Sequence, residues 1–73
     1  MTIEYDPHAD ILYIQFSTKP FAKNRQINDM VIADLDSNGE IIRLELLDAS
    51  HYVENAAEVT FRVLAESAIH PER

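Results

Sequence analysis

The stretch DLDSNGEIIRLE, residues 34–45, admits two incompatible readings. Read as a calcium loop, it matches at every defined position. Asp34, Asp36 and Asn38 stand at loop positions one, three and five, Gly39 at six, Ile41 at eight and Glu45 at twelve. Read as a β-hairpin, it is a type I turn over DSNG, residues 36–39, with Gly39 in the left-handed conformation as a bulge. The flanks separate the two. A calcium loop of this type needs a helix on each side. NRQINDMVIA, ahead of Asp34, instead carries a turn signal and β-branched residues, and the residues after Gly39 alternate as a returning strand does. Asp, Asn and Gly are also the residues a tight turn favours, because they tolerate its backbone geometry. In a hairpin Glu45 lies several residues beyond the turn and cannot close a coordination sphere. We therefore read a hairpin, and expect no calcium binding tighter than roughly millimolar.

That turn sets a register in which Leu35 faces Ile41, Asp34 faces Ile42 and Ile32 faces Leu44. One face then carries Met30, Ile32, Ile42, Leu44 and Leu46 as the core. The other carries Val31, Ala33, Leu35, Ile41 and Leu47, with Arg43 and Glu45 among them. Two apolar faces are more than so small a chain can cover, which points to self-association, most simply a homodimer.

Upstream, TIEYD alternates as a strand, DPHAD supplies turn chemistry through Pro7 and Asp6, and ILYIQFS forms the second arm of a hairpin. Leu12, Ile14 and Phe16 share one face of that arm, Ile11 and Tyr13 the other. FAKNRQI is a weaker third strand ahead of MVIADLD; a two-residue and a three-residue turn at Asn28 both fit between them. Downstream, Asp48 or Ser50 is placed to cap a short helix from His51. EVTFRVL, residues 58–64, alternates like a strand, whereas Ala57, Phe61, Leu64 and Ala68 recur at helical spacing. Val, Thr and Phe are poor helix formers, so a helical turn near 50–56 followed by a strand is the preferred expectation. The fold class is thus α+β and mainly β: an antiparallel meander of about five or six strands with a short C-terminal helical element. Residues 1–69 make a single small domain and 70–73 a frayed tail.

The chain has 73 residues and no cysteine, so neither disulfides nor thiolate-bound zinc supplement a core that is marginal at this length. Thirteen acidic against six basic residues give a net charge of −7. Such a surface repels phosphates, so no direct nucleic-acid contact is expected; Lys19, Lys23 and Arg25 read as a solvated strand face. Basic proteins are the natural charged partners. MTIEYDPHAD lacks a signal peptide's apolar core, and no apolar run approaches the roughly 20 residues of a membrane span. A cytoplasmic location is the expectation.

Candidate chemistry is sparse. Asp6, His8 and Asp10 are closely spaced, and with the 34–38 turn they give the alternative reading of a ligand- or metal-binding domain. No second histidine joins them from a predictable position. Glu45 and Asp48 are a conceivable carboxylate pair, though Asp48 has a simpler role at a strand end. His51 and His70 fall in weakly patterned segments. With one glycine, no cysteine and no nucleophile-elbow setting, the chain offers no catalytic motif, and neither an enzyme nor a cofactor is expected.

Two blocks, YDPHADILYIQF and VIADLDSNGEIIRLELLDAS, together resemble a small prokaryotic family known as domain of unknown function 2283. Tyr5, Asp6, Ala9, Asp10, Leu12, Tyr13 and Ile14 carry the likeness in the first block. Asp34, Asp36, Gly39, Ile41, Glu45, Leu47, Asp48, Ala49 and Ser50 carry it in the second. The resemblance implies a mainly antiparallel domain with no established activity and no catalytic residues to transfer. Members are often encoded beside small toxin-like proteins, which implies an antitoxin role. Such a protein binds its toxin, and residues 51–69, which depart from the family-like blocks, are the expected contact. Val59, Phe61, Val63 and Leu64 would be its apolar anchors, with Glu54, Glu58 and Glu66 steering towards a basic surface. The alternative is that Phe61 and its neighbours complete the domain's own core.

Overall fold

The structure is a computed structural model that describes residues 1–65. The expected tail at 70–73, His70, Glu66 and the end of the 1–69 domain lie outside the described residues. Five strands form one antiparallel sheet: β1 (Thr2–Asp6), β2 (Ile11–Gln15), β3 (Lys23–Gln26), β4 (Val31–Leu35) and β5 (Ile41–Leu47). Their order across the sheet is β1-β2-β5-β4-β3. Two meander pieces, β1-β2 and β3-β4-β5, are therefore joined edge to edge through β2 and β5. The connection over residues 16–22 crosses the end of the sheet. Phe16 and Ser17 N–H donate to the Ile42 carbonyl at 2.8 and 3.3 Å, and Ala22 N–H donates to that of Leu35 at 2.8 Å.

Local chemistry accounts for the turns. Asp6 Oδ1 accepts from His8 N–H at 2.9 Å and Ala9 N–H at 3.3 Å, closing the first hairpin. At Asn28 the three-residue turn forms: Gln26 pairs with Ile32, and Asn28 Oδ1 accepts from Met30 and Val31 N–H at 2.8 and 2.9 Å. β3 is exposed throughout, and its Lys23 and Arg25 suit an edge strand that must resist pairing with other chains.

Residues 34–45 form the hairpin. Gly39 N–H donates to the Asp36 carbonyl at 3.0 Å, and Asp36 Oδ1 accepts from Asn38 and Glu40 N–H, each at 2.9 Å. Gly39 sits at φ 81° with nothing within 4 Å of the position a Cβ would take. The penalty of a side chain there is thus conformational rather than steric. Gly39→Val is expected to destabilise by more than about 1 kcal/mol, and Gly39→Asn by less, since Asn tolerates left-handed backbone. Urea denaturation checks this; equal midpoints for both variants and the parent would contradict it.

The register beyond the turn differs from the sequence expectation. Leu35 does face Ile41, but a bulge leaves Ile42 without an opposite residue, so Asp34 faces Arg43, Ala33 faces Leu44 and Val31 faces Leu46. With a side-chain period of two, this one-residue shift changes the partners of Val31 through Asp34, while Leu35 keeps Ile41. Val31, Ala33, Leu44 and Leu46 now share a face with Ile3, Tyr5, Leu12 and Ile14, while Ile32 shares the other with Glu45 and Tyr13. The shift sets Val31 across from Leu46, Ala33 across from Leu44 and Asp34 across from Arg43, favourable aliphatic and opposite-charge pairings, and leaves Ile32 across from Glu45. An apolar face and a mixed face form as expected, but with the β4 residues exchanged. The mixed, or ionic, face joins Asp34, Arg43 and Glu45 with Ile11, Tyr13, Ile32 and Leu47.

After β5 the chain makes a 3₁₀ turn, Ala49–His51, then hydrogen-bonded turns through residue 57. Asp48 precedes it in left-handed backbone (φ 51°) and its side chain makes no capping bond, contrary to the expected cap. No α-helix is present among the described residues, and none of their helices is long and apolar enough to cross a membrane. The strand expected at 58–64 does not form: residues 58–65 have no regular structure. Alternation alone does not make a strand; it needs a neighbour that buries one face, and none is supplied here. Large fully buried side chains are lacking among the described residues, and the buried apolar set is Leu12, Ala33, Leu35, Ile42 and Ala49. A single-layered sheet cannot do better.

Candidate functional site

Three features collect the chemistry of the described residues. The first joins the two ends of the sequence likeness. Asp10, in left-handed backbone at φ 56°, follows the β1-β2 turn and faces the end of β5. Its Oδ1 accepts from Tyr5 Oη at 2.8 Å and Ser50 N–H at 3.0 Å, its Oδ2 from Ser50 Oγ at 2.6 Å, and its backbone carbonyl from Ala49 N–H at 3.0 Å. Ala49 is fully buried. The hairpin is thereby fastened to a residue 40 positions along the chain.

Hydrogen bonds from the Ser50 side chain and then from Tyr5 hold the Asp10 carboxyl below its ordinary value, and the charge of His51 acts in the same direction. The bond to Asp10 in turn holds the Tyr5 hydroxyl above its usual range. A carboxylate whose folded pKa lies below its unfolded value contributes stability that is present above about pH 4 and is lost as pH falls through the lower folded value. Asp10→Asn should therefore lower the melting temperature at neutral pH, and the gap from the parent should narrow on acidification below about pH 4. A gap that stays constant down to pH 2 would contradict the role given to this carboxylate.

The second feature lies on the ionic face. Asp34, 2 % exposed, accepts from Arg43 Nε at 2.7 Å, and Arg43 Nη2 donates to Glu45 at 3.4 Å. The guanidinium lies 4.9 Å from the centroid of the Tyr13 ring, within cation–π range. Burial, then the neighbouring Asp34, push the Glu45 carboxyl above its ordinary value, against the pull of Arg43. An open hollow of about 280 Å³ beside this group is lined by Gln15, Ser17, Lys19, Phe21, Asp34, Ile42 and Arg43. Lys19 pairs with Glu40 at 3.3 Å on the surface, an arrangement of little energetic consequence.

The third feature is the segment after the turns. Asn55, at φ 53°, redirects the chain, and its Nδ2 donates to Glu58 Oε1 at 3.1 Å. Val59, Phe61, Val63 and Leu64 then stand 56, 72, 79 and 78 % exposed. Phe61 shares a shallow apolar opening with Met1 and Ile3 at the β1 margin.

The sequence candidates fall out unevenly against this geometry. Asp6, His8 and Asp10 are not brought to one point: Asp6 closes its own turn while Asp10 is directed to Tyr5 and Ser50. Asp36 is engaged by the turn amides, and Glu45 by Arg43 rather than paired with Asp48. Among the described residues no group of three His, Cys, Asp or Glu side chains is set to hold a metal ion. His8 and His51 are exposed. Sequence reasoning did not find the Asp34–Arg43 pair; the signal available was two opposite charges that meet across the hairpin once one residue is bulged. It also missed Asp10–Ser50, although both residues were singled out for the likeness.

No curated protein and no solved structure matches the chain. Residues 2–50, about two-thirds of it, match a family described as "Protein of unknown function (DUF2283)". The match begins with β1 and ends at Ser50, so it spans all five strands and the Asp10–Ser50 fastening and excludes the exposed segment. The chain belongs to the DUF2283 family.

Proposed function

We propose that the protein is a non-enzymatic protein-binding module, the antitoxin-like partner of a small basic toxin, and that residues 59–64 carry the contact. The observation that supports this most is the exposure of Val59, Phe61, Val63 and Leu64 within one six-residue stretch. Scattered exposed apolar residues are ordinary, but four in one stretch that lacks regular structure are a liability unless something covers them. A segment of this kind takes its final form on a partner, and an aromatic flanked by aliphatic residues is a usual anchor. The net charge of −7, with Glu54 and Glu58 just ahead of the anchors, favours encounter with a basic surface. The turns and fastenings of the sheet would present the segment rather than react with anything. Asp10, Asp34 and Arg43 are each committed to internal bonds, as expected of a scaffold.

Co-expression with the product of the adjacent gene tests the reading. The full chain should co-purify with a small basic protein and suppress its toxicity. Absence of any complex, or a complex with an acidic partner, would refute it.

A further inference from the structure

The sheet has one layer, and its two faces differ in a way the total charge hides. The four acidic residues within strands, Glu4, Asp6, Asp34 and Glu45, all project on the ionic face, because the registers place each with Tyr13, Ile11, Arg43 or Ile32. Ile3, Tyr5, Ile14, Val31, Leu44 and Leu46 project on the other, and no strand contributes a carboxylate there. Its only strand charges are Lys23 and Arg25, on the edge strand β3. Among the described residues no α-helix or second sheet lies over this face. The six residues remain partly exposed, with Ile3 at 38 %.

We propose that this aliphatic face is covered by the same face of a second copy, giving a two-layered sandwich about a two-fold axis. A sheet buries its apolar face against another layer, and aligned sheets pack about 10 Å apart through interdigitating side chains. Charge selects the occupant. Two copies that each carry −7 repel wherever carboxylates face one another, and this is the sheet surface to which no strand contributes one; Asp10, at its margin, is held by Tyr5 and Ser50. A basic partner would meet only Lys23 and Arg25 there, so the face does not suit the partner assigned to residues 59–64. With a two-fold axis along the strands, β3 of each copy lies over β1 of its mate, placing the Lys23 and Arg25 margin against Ile3 and Tyr5. Such an interface is isologous and closes at two copies. Phe61 borders this face at Met1 and Ile3, so the test uses the chain alone, with no other protein present, and separates the sheet face from residues 59–64 by the methyls that make the contact.

Light scattering should give about twice the chain mass of 8.4 kDa, and Leu44→Lys should weaken the association at least tenfold. Because a lysine at this position also threatens the fold, the unsubstituted chain supplies the second readout. In a mixture of isotope-labelled and unlabelled copies, intermolecular nuclear Overhauser effects should connect the methyls of Ile14, Val31, Leu44 and Leu46. A monomer at high micromolar concentration would overturn the proposal. A dimer whose intermolecular effects arise from Ile32 and Leu47, or from Val59 to Leu64, would overturn it equally.

Discussion

Arg43→Met is expected to destabilise the fold by about 3 kcal/mol, and Asp34→Asn by only about 1. The asymmetry follows from exposure. The Asp34 side chain is 3 % exposed and the Arg43 side chain 39 %. Removing the guanidinium strands a carboxylate that water cannot reach, which is the expensive way to break a buried pair. Removing the carboxylate leaves an arginine that keeps water, Glu45 and the Tyr13 ring. Methionine preserves the apolar stem, so the loss reports charge rather than packing. A chain of this size has a total stability on the order of 4–10 kcal/mol, so Arg43→Met removes a large share of it. Urea denaturation of both variants checks the prediction. Equal losses, or a larger loss for Asp34→Asn, would mean that Asp34 is better solvated than its burial indicates.

The second large effect concerns binding rather than folding. Phe61→Ser combined with Leu64→Ser should lower affinity for the partner at least a hundredfold, about 2.7 kcal/mol, because anchor residues carry most of an interface's energy. The same double variant should melt within about 0.5 kcal/mol of the parent, since surface substitutions away from packed features rarely cost more. At 72 and 78 % exposure these side chains contribute little to the folded monomer. Loss of folding together with binding would instead make the segment part of the core, the alternative left open by the sequence.

Much of the sheet was legible because its signals are local. β1, β2, β4 and β5 each alternate over five to seven residues, and their turns carry Asp, Pro, Asn or Gly at positions where those residues have a mechanical role. The rejection of a calcium loop at 34–45 rested on the same logic, and the Asp36 turn bonds bear the hairpin out. The face assignment failed at one residue. A bulge at Ile42 has no sequence mark comparable to Gly39, yet it decides which residues of β4 and β5 look inward. The same bulge concealed the Asp34–Arg43 pair, since the simple register puts Asp34 across from Ile42. The Asp10–Ser50 fastening was illegible for a different reason: its partners are forty residues apart, and only the β2-β5 pairing brings them together. Residues 58–64 were misread as a strand because alternation records what side chains could do beside a neighbour, not whether one is present.

Hydrogen exchange over residues 59–65 tests the central claim most directly. In the isolated chain these amides make no hydrogen bond to another described residue, so they should exchange at nearly free-chain rates while the amides of β2, β4 and β5 stay protected. Adding the product of the adjacent gene should slow exchange at Val59 to Leu64 at least tenfold and leave the sheet unchanged. Strand-like protection of this segment in the isolated chain, or a bound complex that leaves its exchange fast, would contradict the assignment of the contact to residues 59–64.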